Sequence, residues 1–266
     1  MANGLILRKR VDALSGPELA ALRNAYAKMQ GLMDNRGYNY WAGVHGIPQH
    51  YCWHHSSRLP RTGPTLNLFL PWHRAYIKYW ELAMRDQDQN AVLPWWRWYG
   101  GIPTAFTDQN AGGNPNPLYK AHISRPNANP PINRDTRRFP GQGVPPSVRL
   151  PTSGEVASLY NRTQFLDFSG GPGGLEEIHD NIHGWTGGIS GGVGGDMGVV
   201  ATAAYDPIFW SHHCMIDRIW YIWQLKNGIN NMPPEYMDVI LAPFRYRVRD
   251  VLDIHALGYE YAVGAA

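Results

Sequence analysis

Apolar positions recur with a helical period in four parts of the chain, separated by long stretches with little period at all. Residues 15–33 read as an amphipathic helix, because Ser15 is a capping side chain, Pro17 falls in the first turn and Glu18 stands three residues after the cap. Residues 71–85 place Trp72, Ala75, Tyr76, Tyr79, Trp80 and Ala83 on one helical side, with Pro71 suited to a first turn. A third helix is predicted over 176–183. A fourth is predicted over 207–225, where Phe209, His213, Ile216, Trp220 and Trp223 recur together. Four such helices predict a mainly α fold, a four-helix bundle wrapped by long irregular loops with a few short strands, in a single domain over 1–266.

Residues 100–154 are rich in Pro, Asn and Gly and read as a wrapping loop. Residues 170–174 and 184–198 are glycine-dense and flank the third helix. They follow no strand and contain no phosphate-loop pattern, so they are expected to supply turns and room near a pocket.

Charge changes this picture by exclusion. With 24 Lys and Arg against 21 Asp and Glu there is no basic stripe for nucleic acid, and a small organic partner fits better. No stretch reaches eighteen apolar residues and the first fifteen residues lack a signal-like apolar run, so no membrane span and no address are visible. On that ground the chain is expected in the cytoplasm or exported with a partner. Two cysteines, Cys52 and Cys214, are too few for a disulfide framework. The tryptophans at 72, 95, 96, 98, 210, 220 and 223 read as core.

Eleven histidines are the chemical signal. His179 and His183 lie four apart on a predicted helix and so share a face. A zinc protease would need glutamate directly after the first of them, where this chain has Asp180. His212 and His213 interrupt an aromatic and aliphatic helix face, and a buried imidazole there requires a partner. Upstream stand His45, His54 next to His55, and His73. Imidazole groups without thiolate pairs or carboxylate clusters suit copper better than calcium, magnesium or a four-thiolate zinc site.

The strings LFLPWHRAY at 68–76, GLEEIHDNIHGW at 174–185 and DPIFWSHHCMIDRIW at 206–220 resemble the copper motifs of the tyrosinase and polyphenol oxidase family, which includes catechol oxidases and molluscan hemocyanins. The resemblance runs from about His45 to Trp223. It implies a dinuclear type 3 centre of two copper ions, with dioxygen as co-substrate. Carried over by position, it makes His45, His54 and His73 ligands of the first copper and His179, His183 and His213 ligands of the second, His213 being chosen over His212 because it stands four residues before Asp217. Cys52 stands two residues before His54, as in relatives where the sulfur is joined to that imidazole by a thioether. The chain departs from the family in the gap between His54 and His73, read as an insertion over 59–67, which keeps His55 as an alternative.

The resemblance also implies roles around the metals. Glu176, with Glu177 as the alternative, would order a water that deprotonates a monophenol, with Asp180 strengthening it as a base. Val200, thirteen residues before His213, occupies the gate position, and Gly184 would leave the entrance open to larger phenols. Phe209 would brace the copper-bound imidazole, while Asp217 and Arg218 would fasten helices. His50, His122 and His255 are expected to be ordinary histidines, His212 a hydrogen-bonded neighbour and Cys214 a buried thiol. Tyr259-Glu260-Tyr261 resembles the motif that closes the catalytic domain, with Arg8 as its partner, and a C-terminal lid domain is expected to be absent. The implied function is ortho-hydroxylation of monophenols and oxidation of o-diphenols to o-quinones. The alternatives are a catechol oxidase or o-aminophenol oxidase without monophenolase activity and, more remotely, a hemocyanin-like oxygen carrier. Implied partners are a small phenolic substrate and a copper-delivery helper protein.

Overall fold

The computed structural model describes residues 4–53 and 66–262. Among these the helices are α1 (Gly16–Gly31), α2 (Tyr38–His45), α3 (Phe69–Gln87), α4 (Thr104–Thr107), α5 (Ser153–Leu159), α6 (Phe165–Gly170), α7 (Leu175–Gly187) and α8 (Ile208–Asn227). Strand β1 (Ile6–Arg8) pairs in parallel with β8 (Tyr259–Tyr261). Three small antiparallel hairpins complete the inventory: β2 (Asn110–Ala111) with β3 (Asn114–Pro115), β4 (His122–Arg125) with β5 (Ile132–Asp135), and β6 (Ile189–Ser190) with β7 (Val193–Gly194). Among the described residues no helix is long and apolar enough to cross a membrane. The expected mainly α architecture holds, with the differences lying in which helices surround the histidines.

Helix α1 starts as predicted: the Ser15 hydroxyl accepts from the Glu18 amide and the Glu18 carboxylate accepts from the Ser15 amide, satisfying two amides of the first turn. It packs on α3 and does not reach the histidines; that fourth place belongs to α2. The periodicity missed α2 because Tyr38, Asn39, Ala42, Gly43, Val44 and His45 are all buried, leaving too little polar face to show an amphipathic period. Helix α3 begins two residues earlier than predicted. Pro71 then sits third in the helix, where its missing N–H would have had no intrahelical acceptor anyway. The loop at 100–154 is less irregular than expected, holding α4 and two of the hairpins. Ion pairs from Arg134 to Asp196 and from Arg138 to Asp206 tie it to the segments that precede α8.

The core is built on α3 against α8. Trp80 and Trp210 stack at 3.7 Å and 8°, with Tyr26 and Tyr38 edge-on to Trp80 at 5.4 and 5.2 Å. Such pairs add about 0.5–1.5 kcal/mol each beyond area burial. A buried polar knot locks the same two helices to the chain ends. Asp217 accepts from Arg74 Nε, from Arg8 Nη1 at 3.3 Å and from the hydroxyls of Tyr259 and Tyr261 at 2.7 and 2.5 Å. Glu81 takes Arg8 Nη2 at 2.8 Å and the Leu93 amide at 3.0 Å, while the Arg8 guanidinium lies 3.6 Å over the Tyr259 ring. Arg8 thus meets the Tyr-x-Tyr motif as expected, and Asp217 fastens helices. Arg218 lies 4.2 Å over Trp95.

Candidate metal centre

Four helices deliver the imidazoles. Helix α2 ends on His45, α3 carries His73 one turn from its start, α7 carries His179 and His183 one turn apart, and α8 carries His212 and His213. Two groups have one potential ligand atom per residue within 4.8 Å of every other: His45, His73 and His213, and His179, His183, His212 and His213. His213 belongs to both, and its ring stacks on His73 at 4.3 Å and 11°. Its Nε2 is 3.4 Å from Nε2 of His183. His54 and His55 lie outside the described residues, and the thioether expectation with them. Among the described residues the Cys52 sulfur stands 3.6 Å from His73 Nε2.

The ring orientations follow from hydrogen bonds. Nδ1 of His73 lies 2.8 Å from the Phe69 carbonyl and Nδ1 of His183 lies 2.7 Å from the Met197 carbonyl. A carbonyl only accepts, so both Nδ1 atoms carry the proton and both Nε2 atoms keep a lone pair. His179 Nδ1 donates in the same way to Asp180 Oδ1 at 3.0 Å. This is the arrangement in which outer partners fix the tautomer and aim of a metal-binding imidazole. Burial pushes the His212 and His213 imidazoles well below their ordinary pKa, reinforced by the neighbouring histidines, so both are neutral. An all-imidazole donor set, buried except for the half-buried His183 and with no carboxylate or thiolate inside either group, fits copper.

His212 departs from expectation. It is fully buried, stacks on His179 at 5.2 Å and 16°, and neither ring nitrogen has a hydrogen-bond partner among the described residues. Sequence alone treated it as a hydrogen-bonded neighbour, whereas its ring closes the packing behind His179. The Phe209 ring stands 4.2 Å from that of His213 and 4.8 Å from that of His45. The Phe69 ring stands likewise by those of His73 and His179 at 4.8 and 4.7 Å, a contact the sequence did not mark.

A cavity of about 210 Å³ opens onto the centre, walled by His45, His179, Asp180, His183, Gly184, Met197, Gly198, Val200 and Ala203. Val200 is 52% exposed at its mouth. Glu176 is only 1% exposed and does not form part of the wall. Gly184 lines the cavity, and a Cβ there would come 3.0 Å from Val148 of the wrapping loop. Met197 and Ala203 were invisible in the sequence, lying in 3-10 turns of three residues, too short to show a period. The glycines around them have a packing reason: a Cβ on Gly187 would fall 2.4 Å from the Gly198 amide nitrogen, so the end of α7 and the 196–198 turn meet backbone to backbone. A larger hollow of about 620 Å³ beneath Arg137 and Phe139 has no histidine in its wall.

Helices enclosing two imidazole groups that share a buried ring define a class, the proteins that hold a dinuclear copper centre. Residues 35–226 match the family described as the common central domain of tyrosinase, and the chain belongs to that family. It is 28% identical to Hemocyanin 1 of Megathura crenulata over 97% of this chain and 8% of that protein, and 30% identical to aureusidin synthase of Antirrhinum majus over 73% of this chain and 40% of that one. The chain therefore spans less than half the length of either relative. Among solved structures, a functional unit of octopus hemocyanin superposes with a TM-score of 0.74 at 27% identity, covering 96% of this chain and 68% of that one. A tyrosinase from Burkholderia thailandensis gives 0.79 at 23% identity, covering 98% and 74%, a likeness of fold.

Proposed function

We propose that the chain is a copper-dependent phenol oxidase that ortho-hydroxylates monophenols and oxidises o-diphenols to o-quinones with dioxygen. The observation that carries this is the open cavity: His45, His179 and His183 form part of its wall, so a ring entering past Val200 comes directly against the histidines. His45, His73 and His54 would hold one copper, and His179, His183 and His213 the other. When bound, the copper pair supplies dioxygen activation and accepts electrons from the phenol.

The chain's own residues position the ring and handle its proton. Val200, Ala203 and Met197 give the ring an apolar slot, and water displaced from it strengthens the electrostatics at the histidines. Asp180, in the wall and against His179, is assigned the acceptance of the phenolic proton through a water. Glu176, buried one turn before His179, is assigned the ordering of that water.

A hemocyanin-like oxygen carrier is the second reading, favoured by the 28% identity to Hemocyanin 1 over 97% of the chain. One experiment separates them. The chain is loaded with copper, oxygen-dependent absorption is recorded, and tyramine, catechol and o-aminophenol are assayed side by side. Turnover of tyramine and catechol is expected. An oxygen-dependent band without turnover favours the carrier, turnover of catechol or o-aminophenol alone favours an oxidase without monophenolase activity, and no band at all overturns every copper-oxygen reading.

A further inference from the structure

The histidine cavity is small. Its 210 Å³ falls below the roughly 300–1,000 Å³ of most ligand pockets, so it has room for one ring and a phenol with a long substituent must continue outside it. A second hollow of about 450 Å³ lies across a thin partition, with Ile47, Pro48, Ile132, Val199 and Ala201 in its wall beside Arg125. The partition is the segment 199–203, which lines the histidine cavity with Val200 and Ala203 and the second hollow with Val199, Ala201 and Thr202. It is fixed to the end of α2: the Ile47 amide donates to the Ala201 carbonyl at 3.0 Å, and a Cβ on Gly46 would fall 2.1 Å from that oxygen. Val199 and Val200 are 46% and 52% exposed, so the crest between the hollows is an apolar, solvent-facing edge.

Arg125 brings charge to this apolar groove. Its Nε donates to the Tyr205 hydroxyl at 2.5 Å and its Nη2 to the Asn39 carbonyl, both neutral acceptors. Arg134 and Arg138 on the same loop are each paired with an aspartate, whereas no carboxylate among the described residues forms an ion pair with Arg125. A guanidinium positioned by neutral partners keeps its full charge and a donor edge suited to a carboxylate.

We propose that this groove is an extension subsite for the anionic arm of the phenolic substrate: a phenol whose para substituent is an extended apolar chain or second ring ending in a carboxylate, with Arg125 receiving the carboxylate. This rests on the assignment of the histidine cavity to a phenol ring. The arm crosses at Val199 and Val200 and lies against Ile47, Pro48 and Ile132.

The test uses the copper-loaded full chain with 4-hydroxyphenylalkanoic acids of increasing length, their methyl esters, and catechol as a probe too short to cross. KM is expected to fall with length in both series as the arm meets the apolar wall, and at the best length by about a further tenfold for the acid over its ester, with kcat nearly constant, the effect of one charge-assisted bond. Arg125→Gln should abolish that tenfold gain and leave catechol and the esters unchanged. Because Arg125 also holds Asn39 and Tyr205, Ala128→Glu is a second variant, placing an opposing charge in the same wall while keeping those bonds. A KM independent of length, or variants that shift acids and esters alike, overturns the proposal. Calorimetry of the longest acid with the copper-free chain separates the two failures. Arg125-dependent binding without phenol turnover sinks the enzymatic reading and upholds the groove, whereas phenol turnover without Arg125-dependent binding sinks the groove alone.

Discussion

Val200 is the exposed member of a cavity wall whose other apolar members are Met197 and Ala203, and the proposed function makes it the gate to the histidines. Val200→Phe should lower kcat/KM for tyramine about tenfold, one step of roughly 1.4 kcal/mol, and lower it less for catechol, which need not present an ortho carbon for oxygen insertion. Equal losses for both substrates would remove Val200 from the gate. Cys214 gives a second residue-scale expectation. Burial pushes its thiol up to about 12, so at pH 8 it should resist iodoacetamide in the folded chain and react within minutes once unfolded. Of the metal-capable histidines, His45, His73, His179, His183 and His213 were legible because residue type and spacing both announce them. His212 was not, because stacking on His179 depends on where α7 crosses α8, and neither helix encodes that crossing alone. Asp180 was marked by position, but its contact with His179 Nδ1 was not.

At the scale of elements, α3 and α8 were readable from their apolar stripes and α1 from its capping box, whereas α2 was not, because a short helix buried on most sides has no polar face to contrast with. The pairing of α3 with α8 depends on Asp217, which takes charge from Arg74 and Arg8 together. Asp217→Asn keeps the shape but leaves two buried guanidinium groups short of a counter-charge. It should destabilise the fold by about 3–5 kcal/mol, read as a lower midpoint in urea with an unchanged slope. A change under about 1 kcal/mol would show that the tyrosines and Glu81 suffice.

For the whole molecule, the same carboxylate shapes the response to acid. Burial alone would raise the Asp217 pKa, but Arg74, Arg8 and the hydroxyls of Tyr261 and Tyr259 outweigh it and hold it below the ordinary carboxylate range. A lowered folded pKa contributes stability that is complete above the unfolded value near 3.9 and is lost as pH falls through the folded value. Stability should therefore decline below about pH 4, and the decline should be shallower in Asp217→Asn. Copper held by the metal-capable histidines would also act on the whole fold, because those histidines come from four helices. Copper at a hundredfold its Kd should add about 2.7 kcal/mol, seen as a rise in Tm that a chelator reverses. A Tm indifferent to copper would mean that the histidines do not hold it.

The parallel pairing of Ile6–Arg8 with Tyr259–Tyr261 has a mechanical consequence. Tension entering before β1 and leaving after β8 pulls two parallel strands in opposite directions along their length, so the load falls on their hydrogen bonds in shear. Arg8, bonded to Glu81 on α3 and Asp217 on α8, stands directly behind that joint. Anything attached on either side would strain this clamp first, and through Arg8 the load would pass on to α3 and α8.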